Sequence, residues 1–203
     1  MKPPMRRAVF LDKDGTLVED RPPNTDPSGL RFYGDVFTAL GLLERAGYAL
    51  VLVTNQCGIA QGRCEESDVR RMLTYLEHRF ADEGITLAGS YYCPHDIDGR
   101  IARYAVPCLC RKPQPGLLMQ AGRELDIEMT GSWMVGDILH DVEAGRWAGC
   151  RTVLLNNGHE KEWCLTETRW PDHIAGTLLE AAQLIVLSGE RRTSGALMDR
   201  QQE

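Results

Sequence analysis

Short apolar runs that alternate with helical periodicity constrain this chain more than any other feature. Ala8–Leu11 and residues 49–53 and 152–155 are uninterrupted apolar stretches, the pattern of strands buried on both faces. Between the first two, Val36, Leu40, Leu43 and Ala46 recur at helical spacing, with Asp35 placed as N-cap and Gly47 as the stop. Residues 65–83 carry Val69, Met72, Leu73, Leu76 and Phe80 on one helical face. Weaker strand patterns occupy residues 90–93 and 133–137, and further helices fit residues 116–125, 141–148 and 178–187. Repeated strand–helix–strand units predict an α/β fold: a doubly wound, Rossmann-like parallel sheet. The 203 residues suit one domain, residues 1–188, with a polar tail over residues 189–203 expected to fray.

The ends of the strands carry the chemistry. The first strand runs into Asp12-Lys13-Asp14-Gly15-Thr16, the second into Thr54-Asn55-Gln56, and the fourth ends at Asp137. Strand carboxyl ends in such a sheet face the ligand crevice, and Gly15 allows a sharp turn there. Two carboxylates one residue apart repel unless a divalent cation or a shared proton lies between them. A solvated acidic turn is the plainer alternative for any single Asp-x-Asp. Together with the basic pair Arg111-Lys112, these residues point to phosphoryl transfer. One carboxylate attacks phosphorus and a second protonates the leaving oxygen. Thr54 holds phosphate oxygens, and Lys112 and a metal offset the charge of the transition state.

Composition narrows the field. The net charge of −6 leaves no basic field for nucleic acid. No apolar run reaches the length of a membrane span, and the basic start at residues 1–7 leads into a strand rather than a secretory apolar region. The expectation is a cytoplasmic monomer acting on a small phosphorylated molecule. Seven cysteines argue against a fully paired disulfide framework. Cys93, His95, Cys108 and Cys110 cluster as two pairs with one residue between members. Residues i and i+2 of an extended chain point the same way, so the pairs can offer a tetrahedral Cys₃His set to structural Zn²⁺. Three core cysteines and an unrelated histidine are the alternative. Cys57, Cys64, Cys150 and Cys164 are read as structural or exposed thiols, and His140 as a helix-surface residue. His159 could reach the mouth of the site but is given no role.

These four stretches resemble, in order, the motifs of the haloacid dehalogenase superfamily of phosphatases: residues 12–16, Thr54-Asn55, Lys112-Pro113, and Gly136-Asp137 followed by Asp141. The resemblance spans residues 9–155. It implies Asp12 as nucleophile and Asp14 as acid/base, with Thr54 and Lys112 completing the catalytic set. It also implies Mg²⁺ on Asp12, the backbone carbonyl of Asp14, and Asp137. Asp141 is either a support for that site or a surface acid early in a helix. The short interval between the first two motifs leaves no room for a separate cap domain.

The zinc-loop insertion, about residues 93–110, is similar to that of heptose-1,7-bisphosphate 7-phosphatases and of the neighbouring histidinol phosphatases. Residues 54–62 and the long interval from His95 to Cys108 fit the heptose branch better. By this resemblance Asn55, Gln56 and Arg111 contact substrate. Two departures bear on the sugar: residues 21–24 replace the His-Gly-Tyr common in the heptose enzymes, and Ile138 stands where they often have Lys. Rival readings are a histidinol-phosphate phosphatase, a nucleic-acid 3′-phosphatase, and a non-catalytic phosphosugar-binding module.

Overall fold

The computed structural model describes residues 5–21 and 24–199, with side chains described up to residue 189. Residues 1–4 of the basic start, Pro22 and Pro23 of the loop after the first strand, and the last four residues of the expected tail lie outside the described residues.

Six parallel strands form one sheet: β1 (Ala8–Leu11), β2 (Ala49–Asn55), β3 (Leu87–Cys93), β4 (Trp133–Gly136), β5 (Arg151–Leu155) and β6 (His173–Ala175). Their order is β3-β2-β1-β4-β5-β6. Five helices cover it: α1 (Val36–Arg45), α2 (Glu66–Asp82), α3 (Gly116–Glu124), α4 (Leu139–Trp147) and α5 (Leu178–Asp199). Alternation along the strands divides the core. Val9, Leu11, Leu50, Leu52 and Val135 pack with the apolar faces of α1, α2 and α5. Phe10, Val51, Val53 and Met134 pack with Leu117, Leu118 and Ala121 of α3 and Ala144 of α4. The runs are continuously apolar because both faces are buried.

This order places the topological switch between β1 and β4, where the connections leave in opposite directions and a crevice opens at the carboxyl ends. Leu11 pairs with Val135 there, and the Asp12 amide donates to the Val135 carbonyl at 3.0 Å. Asp12 and Asp137 therefore emerge side by side. Between β1 and β2 the described residues form a loop, a 3-10 turn at Pro27–Gly29, and α1, with no cap domain among them. No helix among the described residues is long and apolar enough to cross a membrane.

Several sequence expectations need correction. Asp35 stands at the N-cap of α1 as expected, but its side chain makes no cap bond there. Its carboxylate accepts from the Leu179 amide at 2.7 Å and so caps α5. β3 starts three residues earlier than the Ser90 expected, and α4 starts at Leu139, which puts Asp141 inside its first turn. α5 continues to Asp199, past the Leu187 expected as its end. β6 was missed: its three residues alternate half-buried, exposed and buried, and form no apolar run to read.

Candidate active site

The switch-point crevice is a cleft of about 330 Å³ lined by Asp12, Asp14, Thr54, Lys112, Asp137 and Asp141, among others. Lys112 arrives from the turn before α3 and is almost fully buried. Its ammonium donates to Asp12 Oδ1 at 2.5 Å and to the Val53 carbonyl at 3.0 Å, and lies 2.6 Å from Asp141 Oδ1. Two acceptors thus take hydrogen bonds from the group, and Asp141 faces it as an ion-pair partner. Asp141 is 1% exposed, which rules out the surface-acid reading. Its Oδ2 also accepts from the Ile138 amide at 3.3 Å. A Cβ on Gly136 would lie 2.2 Å from the Asp141 carboxyl, so glycine is required for that packing.

The electrostatics of the cluster call for a cation. Burial pushes the Asp12 carboxyl up to about 6 although Lys112 pulls it down. Burial, then the charges of Asp12 and Asp141, push Asp137 up to about 9. Asp14 is also raised, chiefly by burial. The two ammoniums of Lys112 and Lys13 do not offset the four carboxyl groups of Asp12, Asp14, Asp137 and Asp141 held close together. Oxygens of Asp12, Asp137 and Asp141 lie within 4.8 Å of one another. A Cβ at Gly15 would sit 1.8 Å from Asp137 Oδ2 and 2.4 Å from His159 Nδ1, so the positive-φ turn at Gly15 is what lets these two side chains approach the backbone. An all-oxygen donor set of this kind fits a hard divalent ion such as Mg²⁺.

The expected substrate residues divide. Gln56 Nε2 donates to Thr54 Oγ1 at 2.9 Å and to Asp14 Oδ2 at 3.2 Å, bridging two of the expected catalytic groups. Asn55 gives both ends of its amide to the Lys112 backbone, each at 3.0 Å. That makes Asn55 an anchor for the Lys112 turn. Arg111 lines the cleft while its guanidinium donates to the His95 carbonyl at 3.1 Å, tying the cleft to the Cys/His loop.

In that loop the four expected ligands converge. Cys93 Sγ lies 3.1 Å from Cys110 Sγ and 3.6 Å from Cys108 Sγ, and His95 Nδ1 lies 3.2 Å from Cys110 Sγ. The histidine is therefore gathered with the three cysteines, of which Cys108 and Cys110 pack beside the buried Cys93. Hydrogen bonding, first from Cys93, holds the Cys110 thiol down to about 5, while Cys93 itself is raised, chiefly by that same contact. Three sulfurs and an imidazole nitrogen at this spacing fit tetrahedral Zn²⁺ with no open position. The loop packs over residues 57–62: the Arg100 and Ile101 amides donate to the Ala60 carbonyl, and Gln61 Nε2 donates to Asp96 Oδ2 at 2.9 Å.

Three residues given no role by the sequence reading sit in the cleft or beneath it. His159 Nδ1 lies 2.6 Å from Asp137 Oδ2. Its loop is fixed by Glu160, which accepts from the Leu139 amide at 2.6 Å, and by Asn157, which donates to the Gly15 carbonyl. Its only sequence signal was its place just past the end of β5. Asn24 and the fully buried Lys13 both reach Asp14. A lysine between two aspartates was the visible signal for the second; the first was marked only as part of the departure at residues 21–24. His140 is exposed on α4 and borders the cleft.

Comparison with known proteins agrees with this geometry. Residues 109–181 match the HAD-hydrolase-like family model. The chain is 45% identical over 148 residues to D-glycero-beta-D-manno-heptose-1,7-bisphosphate 7-phosphatase of Photorhabdus laumondii, covering 73% of this chain and 79% of the relative. The enzyme of that name from Pasteurella multocida is 43% identical over 155 residues, covering 76% and 84%. The crystal structure of D,D-heptose 1,7-bisphosphate phosphatase from B. bronchiseptica, complexed with magnesium and phosphate, superposes with a TM-score of 0.74 at 25% identity, covering 90% of this chain and 99% of that one. The chain belongs to the haloacid dehalogenase-like phosphatases, in the family of the heptose-1,7-bisphosphate 7-phosphatases, and is a phosphoric monoester hydrolase.

Proposed function

We propose that this chain hydrolyses the 7-phosphate of D-glycero-D-manno-heptose 1,7-bisphosphate through an aspartyl-phosphate on Asp12. The coarser statement, a sugar bisphosphate phosphatase, is what its relatives support. The finer one rests on a single observation: Asp12, Asp14, Thr54, Lys112 and Asp137 converge on one cleft at the switch point.

The steps balance as follows. An Asp12 oxygen forms a bond to phosphorus while the bond from phosphorus to the sugar oxygen breaks. Asp14, protonated at the outset, gives its proton to that oxygen, and the sugar leaves as an alcohol. Water then attacks the acyl phosphate and Asp14 takes a proton from it. Inorganic phosphate leaves and both carboxyl groups return to their starting states. Lys112 fixes the Asp12 carboxylate and offsets charge as phosphorus is attacked. Thr54 receives phosphate oxygens at its hydroxyl and backbone. Asp12, the Asp14 carbonyl and Asp137 would hold Mg²⁺, with Asp141 close enough to support them; when bound, the ion neutralises phosphate charge in the ground and transition states.

Cys93, His95, Cys108 and Cys110 would hold a structural Zn²⁺ and keep Arg111 at the cleft edge, where it meets the far part of a bisphosphate. The thiols of the described cysteines are free, which suits a reducing compartment. The reading is of a monomeric cytoplasmic enzyme with a small phosphosugar as its partner and no nucleic acid.

The test is kcat/KM over heptose and hexose bisphosphates, histidinol phosphate and 3′-phosphorylated oligonucleotides. The heptose bisphosphate is expected to lead. Arg111→Ala should cost about tenfold or more with the bisphosphate, the loss of one charged remote contact, and less with a small aryl phosphate. Histidinol phosphate or an oligonucleotide leading the panel would sink the proposal.

A further inference from the structure

The loop that follows β1 lines the cleft with Asp20, Asn24 and Thr25, and Asn24 reaches Asp14. Its Nδ2 donates to Asp14 Oδ1 at 2.7 Å and to the Glu19 carbonyl at 2.8 Å. A backbone carbonyl can only accept, so the amide nitrogen is fixed on that side. The Asn24 carbonyl in turn accepts from Lys13 Nζ at 2.7 Å. Lys13 is 0% exposed, and its ammonium also lies 3.1 Å from Asp14 Oδ1. A buried ammonium is costly unless fully partnered, and here its partners are the loop and the carboxylate that the loop covers.

The two oxygens of Asp14 are therefore in different situations. Oδ1 faces two obligate donors, Lys13 and Asn24, and neither can accept a proton. Oδ2, among the described residues, accepts from Gln56 Nε2 alone, at the longer distance of 3.2 Å, the other hydrogen of that amide going to Thr54 Oγ1 at 2.9 Å, so Oδ2 has the more room for a proton. We propose that Asn24, held in place by Lys13, is a positioning residue for Asp14, which it orients so that Oδ2 carries the transferable proton toward the leaving oxygen. This rests on the reading above that Asp14 is the acid/base. It gives a role to the segment where the chain departs from its relatives' motif: the loop sets the geometry of the acid in addition to bordering the cleft.

The test exploits leaving-group chemistry. An aryl phosphate departs as a stable phenolate and needs little protonation, whereas an alkyl or sugar phosphate departs as an alkoxide and depends on the acid. Asn24→Ala, on a half-buried loop residue, is to be compared with wild type on a series of esters from nitrophenyl to primary alkyl phosphate. Because one of several restraints on the acid is lost, kcat should fall by about 10–100-fold on the alkyl esters and by less than about threefold on the nitrophenyl ester, with KM little changed. Asp14→Asn should show the same dependence more steeply. The double variant should be no worse than Asp14→Asn alone, because the two residues act as one unit.

Equal losses of Asn24→Ala across the series, a change confined to KM, or additive losses in the double variant would overturn the inference. If Asp14→Asn itself showed no leaving-group dependence, the acid/base assignment would fail and this inference with it. A steep dependence for Asp14→Asn beside a flat one for Asn24→Ala would sink this inference alone.

Discussion

Asp12, Asp137 and Asp141 are buried at the ends of β1 and β4 and in the first turn of α4, whereas Cys93, His95, Cys108 and Cys110 stand on a strand end and a loop of little core. The contrast is in what holds each cluster. The carboxylates are delivered by a sheet whose register is fixed by Leu11, Leu52 and Val135, and by Lys112, whose anchor is Asn55. Protein contacts of the fold alone thus position that site. In the loop the apolar residues point outward: Leu109 is 77% exposed and Ile97 65%. Burial supplies little stabilisation there, so the ligands must themselves close the loop. One metal would serve the reaction and the other the structure.

The sharpest way to break this comparison is Asp12→Asn. Removing the nucleophile from a preformed site should lower kcat by about 10⁴-fold or more, the scale seen when a covalent nucleophile is lost. The thermal midpoint should hold steady or rise, since the crowded carboxylates lose a charge. Retained turnover would refute the covalent mechanism, and a collapse in stability would refute the claim that the fold alone builds the site.

Metal removal and a loop ligand come next. A mild chelator should abolish turnover reversibly and leave about one zinc per chain, because a closed tetrahedral site releases its ion far less readily than an open oxygen site. Cys108→Ser should lower stability by about 3 kcal/mol, or roughly 6–12 °C for a chain of this size. It should reduce kcat/KM along with stability, because Arg111 is tied to the His95 carbonyl. Metal analysis finding no zinc, or Cys108→Ser as stable as wild type, would make the loop another product of the fold.

How far the sequence could be read follows the same division. Strands buried on both faces announce themselves as apolar runs, and their ends supplied Asp12, Asp14, Thr54 and Asp137 directly. The paired spacing of Cys93/His95 and Cys108/Cys110 was legible because extended alternation alone brings each pair to one side. What was not legible depends on contacts distant in sequence. Asp35 caps a helix 144 residues away, and Asn157 donates to Gly15 across 142 residues. His159 meets Asp137 only because the loop after β5 folds over β4. Asn55, which lines the cleft, also braces Lys112, since the end of β2 adjoins the turn into α3. The motif left Asp141 as either a support for the site or a surface acid, and its burial in the first turn of α4 removes the second reading.

The smallest expected effect tests how much the fold helps the metal loop. Glu66, at the start of α2, accepts from the Tyr92 and Tyr104 hydroxyls, each at 2.6 Å, and from Arg70 at 2.7 Å. It is the carboxylate that ties Tyr104 of the loop to the body of the protein. Those contacts, Tyr104 first, hold its carboxyl down to about 2 against an ordinary 4.5. A depressed acid contributes stability that is present above its unfolded value and is lost as pH falls through its folded one. The side chain is 30% exposed, so solvent screening keeps the effect modest. Glu66→Gln leaves at least one hydroxyl without its acceptor and should cost about 1 kcal/mol at neutral pH, roughly 2–4 °C. With zinc still closing the loop, kcat/KM should barely move. Urea midpoints of the two proteins should converge as pH drops from about 4.5 toward 2. A gap that persists at low pH would mean that Glu66 acts through packing rather than charge. A loss of stability and activity matching that of Cys108→Ser would mean that contacts to the sheet and helices, rather than the metal, hold this loop in place.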